Sequence, residues 1–107
     1  MKKTIPKYPR ILAIAPSTRG FGFALLEGLN TLVDWGVKSI EGDKNTSSVA
    51  RVKAMIAHYE PGIVVLEDAL AKSVRRSPRI RELTKRIVSI AKRQDVRVML
   101  LPRKQVR

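Results

Sequence analysis

A chain of 107 residues holds about one domain, and with no cysteine it has neither a disulfide framework nor a thiolate metal site. Neither a signal-peptide pattern nor an apolar run of about 18 residues occurs, which predicts a soluble, cytoplasmic protein without a membrane partner. The net charge is +13 and is unevenly spread: residues 72–107 carry 13 Lys or Arg against Glu82 and Asp95, a local net of +11, which leaves +2 for the first 71 residues. Such an excess points to a polyanion, with nucleic acid ahead of an anionic membrane surface. A merely solvated basic face is the alternative.

Residues 1–9 form a basic, proline-punctuated lead-in, and residues 10–107 form the domain. Ile11 to Ala15 reads as a buried strand that Pro16 closes, because proline has no amide to give to a ladder. After the turn Ser17-Thr18-Arg19, the segment Gly20 to Leu26 alternates as a second strand, with Phe21, Phe23 and Leu25 on one face and Gly20, Gly22 and Ala24 on the other. Thr31 to Ile40 follows as a third strand in which Val33, Trp35 and Val37 share a face. Trp35 is expected to pack in the core or on the sheet rather than to stack on bases.

Thr46, Ser47 and Ser48 offer capping oxygens ahead of an amphipathic helix carrying Val49, Val52, Ile56 and Tyr59, which Pro61-Gly62 stops. His58, the only histidine, is expected on the surface. Ile63 to Leu66 is a second buried strand and ends on Glu67 and Asp68. Ser77-Pro78 then opens a helix with Ile80, Leu83, Ile87, Ile90 and Ala91 on one stripe. Arg79, Arg86 and Arg93 lie seven apart on it. Val96 to Leu101 is the last strand. The order βββαβαβ, joined by right-handed crossovers, predicts an α/β fold with a five-stranded mixed sheet in the order 3-2-1-4-5. In that order Ala15 and Glu67 end side by side at the carboxyl edge, where open α/β sheets place ligands.

The residues Ile14, Ala15, Pro16, Ser17, Gly20, Phe21 and Gly22 resemble the opening of the RuvC-like Holliday-junction resolvases of the ribonuclease H-like superfamily. The segment IVVLED and the terminal Pro102-Arg103-Lys104-Gln105-Val106 fit the same pattern. The resemblance implies a Mg (or Mn)-dependent endonuclease that binds and cleaves branched DNA, often as a homodimer, through two metal ions held by several carboxylates. It assigns Glu67 to a metal and makes Asp68 a second catalytic candidate. It also places Ala15 where the family has a metal-binding aspartate, and a methyl group cannot replace a hard oxygen ligand. The acidic helix that closes the family domain has no counterpart before Arg107. Metal binding is therefore expected to be weak or absent and the form inactive. Either the first acid was replaced in a shortened nuclease, or the chain is a non-catalytic nucleic-acid-binding or regulatory domain of the same fold.

The residues expected to meet nucleic acid are Ser17, Thr18, Arg19, Lys72, Arg75, Arg76, Arg79, Arg86, Arg93, Arg103 and Lys104. For Ser17 to Arg19 an ordinary polar turn is the competing reading. The same opening occurs in actin-like ATPases and sugar kinases, but those enclose a nucleotide between two such lobes, more than 107 residues provide.

Overall fold

The computed structural model describes residues 9–28, 31–68 and 77–101. Three strands come first, β1 (Arg10–Pro16), β2 (Gly20–Glu27) and β3 (Thr31–Ser39), followed by helix α1 (Lys44–Tyr59), strand β4 (Ile63–Glu67), helix α2 (Pro78–Arg93) and strand β5 (Arg97–Leu101). They form one five-stranded sheet in the order β3-β2-β1-β4-β5. β2 pairs antiparallel with β1 and with β3, whereas β4 runs parallel to both β1 and β5.

Pro16 is the last residue of β1 rather than a break before it. Ser17 and Gly20 exchange backbone hydrogen bonds of 3.0 and 3.4 Å around a two-residue turn, which makes the next pair, Pro16 and Phe21, a non-hydrogen-bonded one. The amide that proline lacks is not needed there. Gly20 is required for a different reason: a Cβ at this position would sit 2.1 Å from the Lys38 carbonyl oxygen on β3.

Pairing fixes the faces. Leu12, Ile14, Val64 and Leu66 point to one side together with Phe21 and Leu25, and there they meet Val52 and Ile56 of α1 and Leu83, Ile87 and Ala91 of α2 in the buried core. Both helices lie on this side because the two crossovers, β3 to β4 and β4 to β5, advance the same way along the sheet with the same hand. The opposite face carries Ala13, Ala15, Gly22, Ala24, Trp35 and Val37 in register across β1, β2 and β3.

Three local expectations change. The helix α1 starts at least three residues earlier than its Thr/Ser run suggests: Asp43 is the cap, its carboxylate accepting from the Thr46 amide at 3.1 Å and from the Thr46 hydroxyl at 2.8 Å. A register shift in the β2–β3 ladder between Leu25 and Leu26 takes Val33 out of the Trp35–Val37 alternation and puts Leu32 opposite Leu26 instead. Trp35 does not pack away from water but is 69% exposed, since nothing among the described residues covers that side of β3. For α2 the expectation holds, with the Ser77 hydroxyl accepting from the Ile80 amide and Pro78 at the first turn.

Candidate functional site

The last register pair between β1 and β4 is Ile14 with Leu66. Ala15 and Glu67 follow each by one residue, so they occupy neighbouring positions on parallel strands and turn to the same face, the one away from α1 and α2. Ala15 is exposed and Glu67 half-buried. Glu67 in turn pairs with Leu101 of β5. Asp68, one residue past the strand and also half-buried, gives its amide to the Leu101 carbonyl at 2.8 Å, which extends the ladder and fixes the backbone on which both carboxylates stand.

The donor set at this edge does not suit a pair of divalent ions. Among the described residues no group of three His, Cys, Asp or Glu could hold a metal, and the sequences of the remaining segments contain no Asp or Glu. Most other acids serve local structure. Glu27 pairs with Arg10 at 3.1 Å, and Glu82 pairs with Arg86 at 3.1 Å. The Tyr59 hydroxyl donates to Asp34 at 2.5 Å, and this bond, followed by that from the Trp35 amide, holds Asp34 below the usual carboxylate range. Asp43 is lowered likewise, first by the Thr46 amide and then by the Thr46 hydroxyl. Two oxygen-bearing side chains with a methyl group facing one of them cannot meet the near-octahedral demand of Mg²⁺ twice over.

Of the expected nucleic-acid contacts, Thr18 and Arg19 are exposed at the tip of the β1–β2 turn, while Ser17 is half-buried. Arg79 has another task. Its guanidinium donates to the Ser17 carbonyl and, at 3.0 Å, to the Asn45 side-chain oxygen, while the Asn45 amide returns a bond of 3.0 Å to the Arg79 carbonyl. One side chain thereby ties the β1–β2 turn to the first turns of both helices. The regular spacing with Arg86 and Arg93 gave no hint of this, since a period of seven fixes a helix face but not what that face meets. The sequence carried no signal for it, since Asn45, in the first turn of α1, is shown to be buried only by the fold. Arg86 and Arg93 are exposed, as are Lys85 and Lys92, so a cationic surface runs along α2; Arg97 is exposed too, but its pairing with Ile63 turns it to the other side of the sheet. Lys72, Arg75, Arg76, Arg103 and Lys104 lie outside the described residues.

No family profile and no curated protein matches the sequence. Among solved structures the fold is similar to RuvC of Thermus thermophilus bound to a Holliday junction substrate, with a TM-score of 0.76 and 16% identity over 92% of this chain and 68% of that one. A second Thermus thermophilus RuvC structure gives a TM-score of 0.71 and 17% identity over 91% and 66%. The yeast mitochondrial Holliday junction resolvase gives 0.57 and 16% over 91% and 52%. The chain thus has the RuvC-like, ribonuclease H-like fold, and it spans about two thirds of the RuvC chains and half of the yeast resolvase.

Proposed function

We propose that this RuvC-like domain binds branched DNA through phosphate contacts and does not cut it. The observation that carries the reading is the pairing of a cationic α2 surface with a carboxyl edge at which Ala15, not an acid, stands beside Glu67. The sequence resemblance and the solved junction resolvases of the same fold support branched DNA as the ligand. Phosphate contacts made by Lys85, Arg86, Lys92 and Arg93 would set affinity and orientation without reading bases. Glu67 could attract one divalent ion, Asp68 turning to the other face as the next residue of the ladder, but the second ion of a two-metal hydrolysis finds no ligands among the described residues. The nuclease reading is therefore confined to a longer or restored form.

The test is a four-way junction and a linear duplex of equal length, each titrated with the chain over a range of salt and incubated with Mg²⁺ or Mn²⁺. We expect tighter binding to the junction, a log–log salt slope of about −5 if about six cations neutralise phosphates, and no cleavage. Arg93→Glu together with Lys85→Glu should weaken both complexes. Salt-independent binding would remove the phosphate reading, and junction cutting would show that the ligand count is wrong. Ala15→Asp should strengthen Mn²⁺ binding without restoring cleavage, because the second ion remains unheld.

A further inference from the structure

The outer face of α2 has an uncharged centre. Ser89 lies two residues from both Ile87 and Ala91, which are buried, so at about 100° per residue it points away from the core, and it is exposed. Lys85 and Arg86 precede it by four and three residues, and Lys92 and Arg93 follow it by three and four. Residues at these spacings are neighbours on a helix, their Cβ atoms about 5–6 Å apart, so all four cations border the one serine. They form two rails, Lys85 with Lys92 and Arg86 with Arg93, each about 10.5 Å long, and Ser89 lies between them.

The chemistry of the helix alone does not account for a serine there. A glutamate at position 89 would stand four residues from Lys85 and from Arg93 and would pair with both, as Glu82 pairs with Arg86 at 3.1 Å. Alanine would favour the helix more than serine does. A hydroxyl in mid-helix can also turn back to the carbonyl four residues earlier. Thr84 does so, donating to Ile80 at 2.9 Å, whereas the Ser89 hydroxyl has no partner among the described residues. Nor do Lys85, Lys92 and Arg93 form an ion pair among those residues. Position 89 thus holds a neutral donor amid charges that the chain itself leaves uncompensated. A tetrahedral phosphate suits such a place, because one oxygen can accept from the hydroxyl while the others face the rails, and hydrogen bonds to ionised groups are the stronger kind.

We infer that Ser89 seats one backbone phosphate of a DNA strand crossing α2, its hydroxyl donating to a phosphoryl oxygen while Lys85, Arg86, Lys92 and Arg93 close around it. The inference rests on the DNA-binding reading and adds a fixed point to it. The cations set how strongly the strand is held, and the serine sets where along the helix it lies.

The experiment follows a fluorescein-labelled four-way junction by anisotropy between about 0.05 and 0.2 M salt, with the chain as given and with Ser89→Ala, Ser89→Thr, Ser89→Glu and Arg93→Glu. Ser89→Ala should weaken binding about ten-fold, the low end for one hydrogen bond to a charged group, at an unchanged salt slope because no cation is lost. Alanine is the better helix former, so urea unfolding should show no loss of stability, and the weaker binding belongs to the contact. Ser89→Thr keeps the hydroxyl donor and should stay within about two-fold of the parent chain. Ser89→Glu should bind roughly a hundred-fold more weakly, since its carboxylate takes up the cations and repels the strand. Ser89→Ala binding as tightly as the parent, a loss accompanied by a shallower salt slope, or Ser89→Thr no better than Ser89→Ala would overturn the seat. Arg93→Glu separates that failure from failure of the DNA-binding reading: it weakens binding whether or not Ser89 bonds a phosphate, and if it too has no effect the reading falls and the seat with it. Phosphatidylglycerol vesicles run in parallel should be indifferent to Ser89→Ala. Vesicle binding that needs the hydroxyl, beside junction binding that does not, would give the seat to a lipid headgroup instead.

Discussion

On one side of the sheet Leu12, Ile14, Val64 and Leu66 lie under two helices; on the other Ile11, Ala13, Ile63 and Val65, from the same two strands, have nothing above them among the described residues. In sequence the two sets are hardly different. Both β1 and β4 read as unbroken apolar runs, the mark of strands able to be buried on both sides. What separates the faces is the hand of the crossovers, a property of the connections and not of the strands. Apolar character in a central strand therefore measures how much could be covered, and topology decides what is.

The largest test of this contrast is cavity formation. Leu83→Ala, under the covered face, should cost about 2–5 kcal/mol, whereas Trp35→Ser on the open face should stay within about 0.5 kcal/mol, both read from urea unfolding midpoints. A comparable loss at the two sites would mean that the open face is covered in solution. Arg79→Met comes next. It removes charged hydrogen bonds to Ser17 and Asn45 and should lower stability by about 1.5–3 kcal/mol, yet leave the salt slope of DNA binding in place. Arg93→Glu should do the reverse, and an Arg79 variant of normal stability with weakened binding would return Arg79 to the phosphate-contacting set.

Gly20→Ala sharpens the view of the hairpin end, where the added methyl must displace β3 backbone. Overpacking of this kind costs about 1–3 kcal/mol, and the change should show in the amide signals of Lys38 and Ile40. The smallest expected effect is on pH dependence. Asp34 and Asp43 are held below their ordinary value of 3.8, so each binds protons more readily when unfolded. Their stabilisation is complete above that value and is lost as pH falls through the depressed native value. Asp43→Ala should therefore flatten the acid limb of a stability profile while leaving it unchanged in slope near neutrality.

The sheet order and the adjacency of Ala15 and Glu67 were legible in the sequence because both follow from βββαβαβ and one rule of handedness. The Ser77-Pro78 start was legible because its chemistry is local. Asp43 was missed as a cap in favour of Thr46 to Ser48, since several capping oxygens in a row compete and the winner depends on where the chain leaves β3. Trp35 was misjudged because a tryptophan on a strand is covered only if some element happens to lie over it. Arg79 was grouped with Arg86 and Arg93 by spacing, and only the fold brings Ser17, 62 positions away, within its reach.

The nine-residue strand β3 forms one edge of the sheet, and it contains no proline and only Asp34 and Lys38 as charges. Such an edge is a template for strand addition by other molecules. Here the guard is colloidal: molecules carrying +13 each repel one another before their edges can meet. Added salt shortens the reach of that repulsion to about 3 Å at 1 M, so the ionic strength that would release the proposed DNA ligand also unmasks the edge, and light scattering should rise with salt.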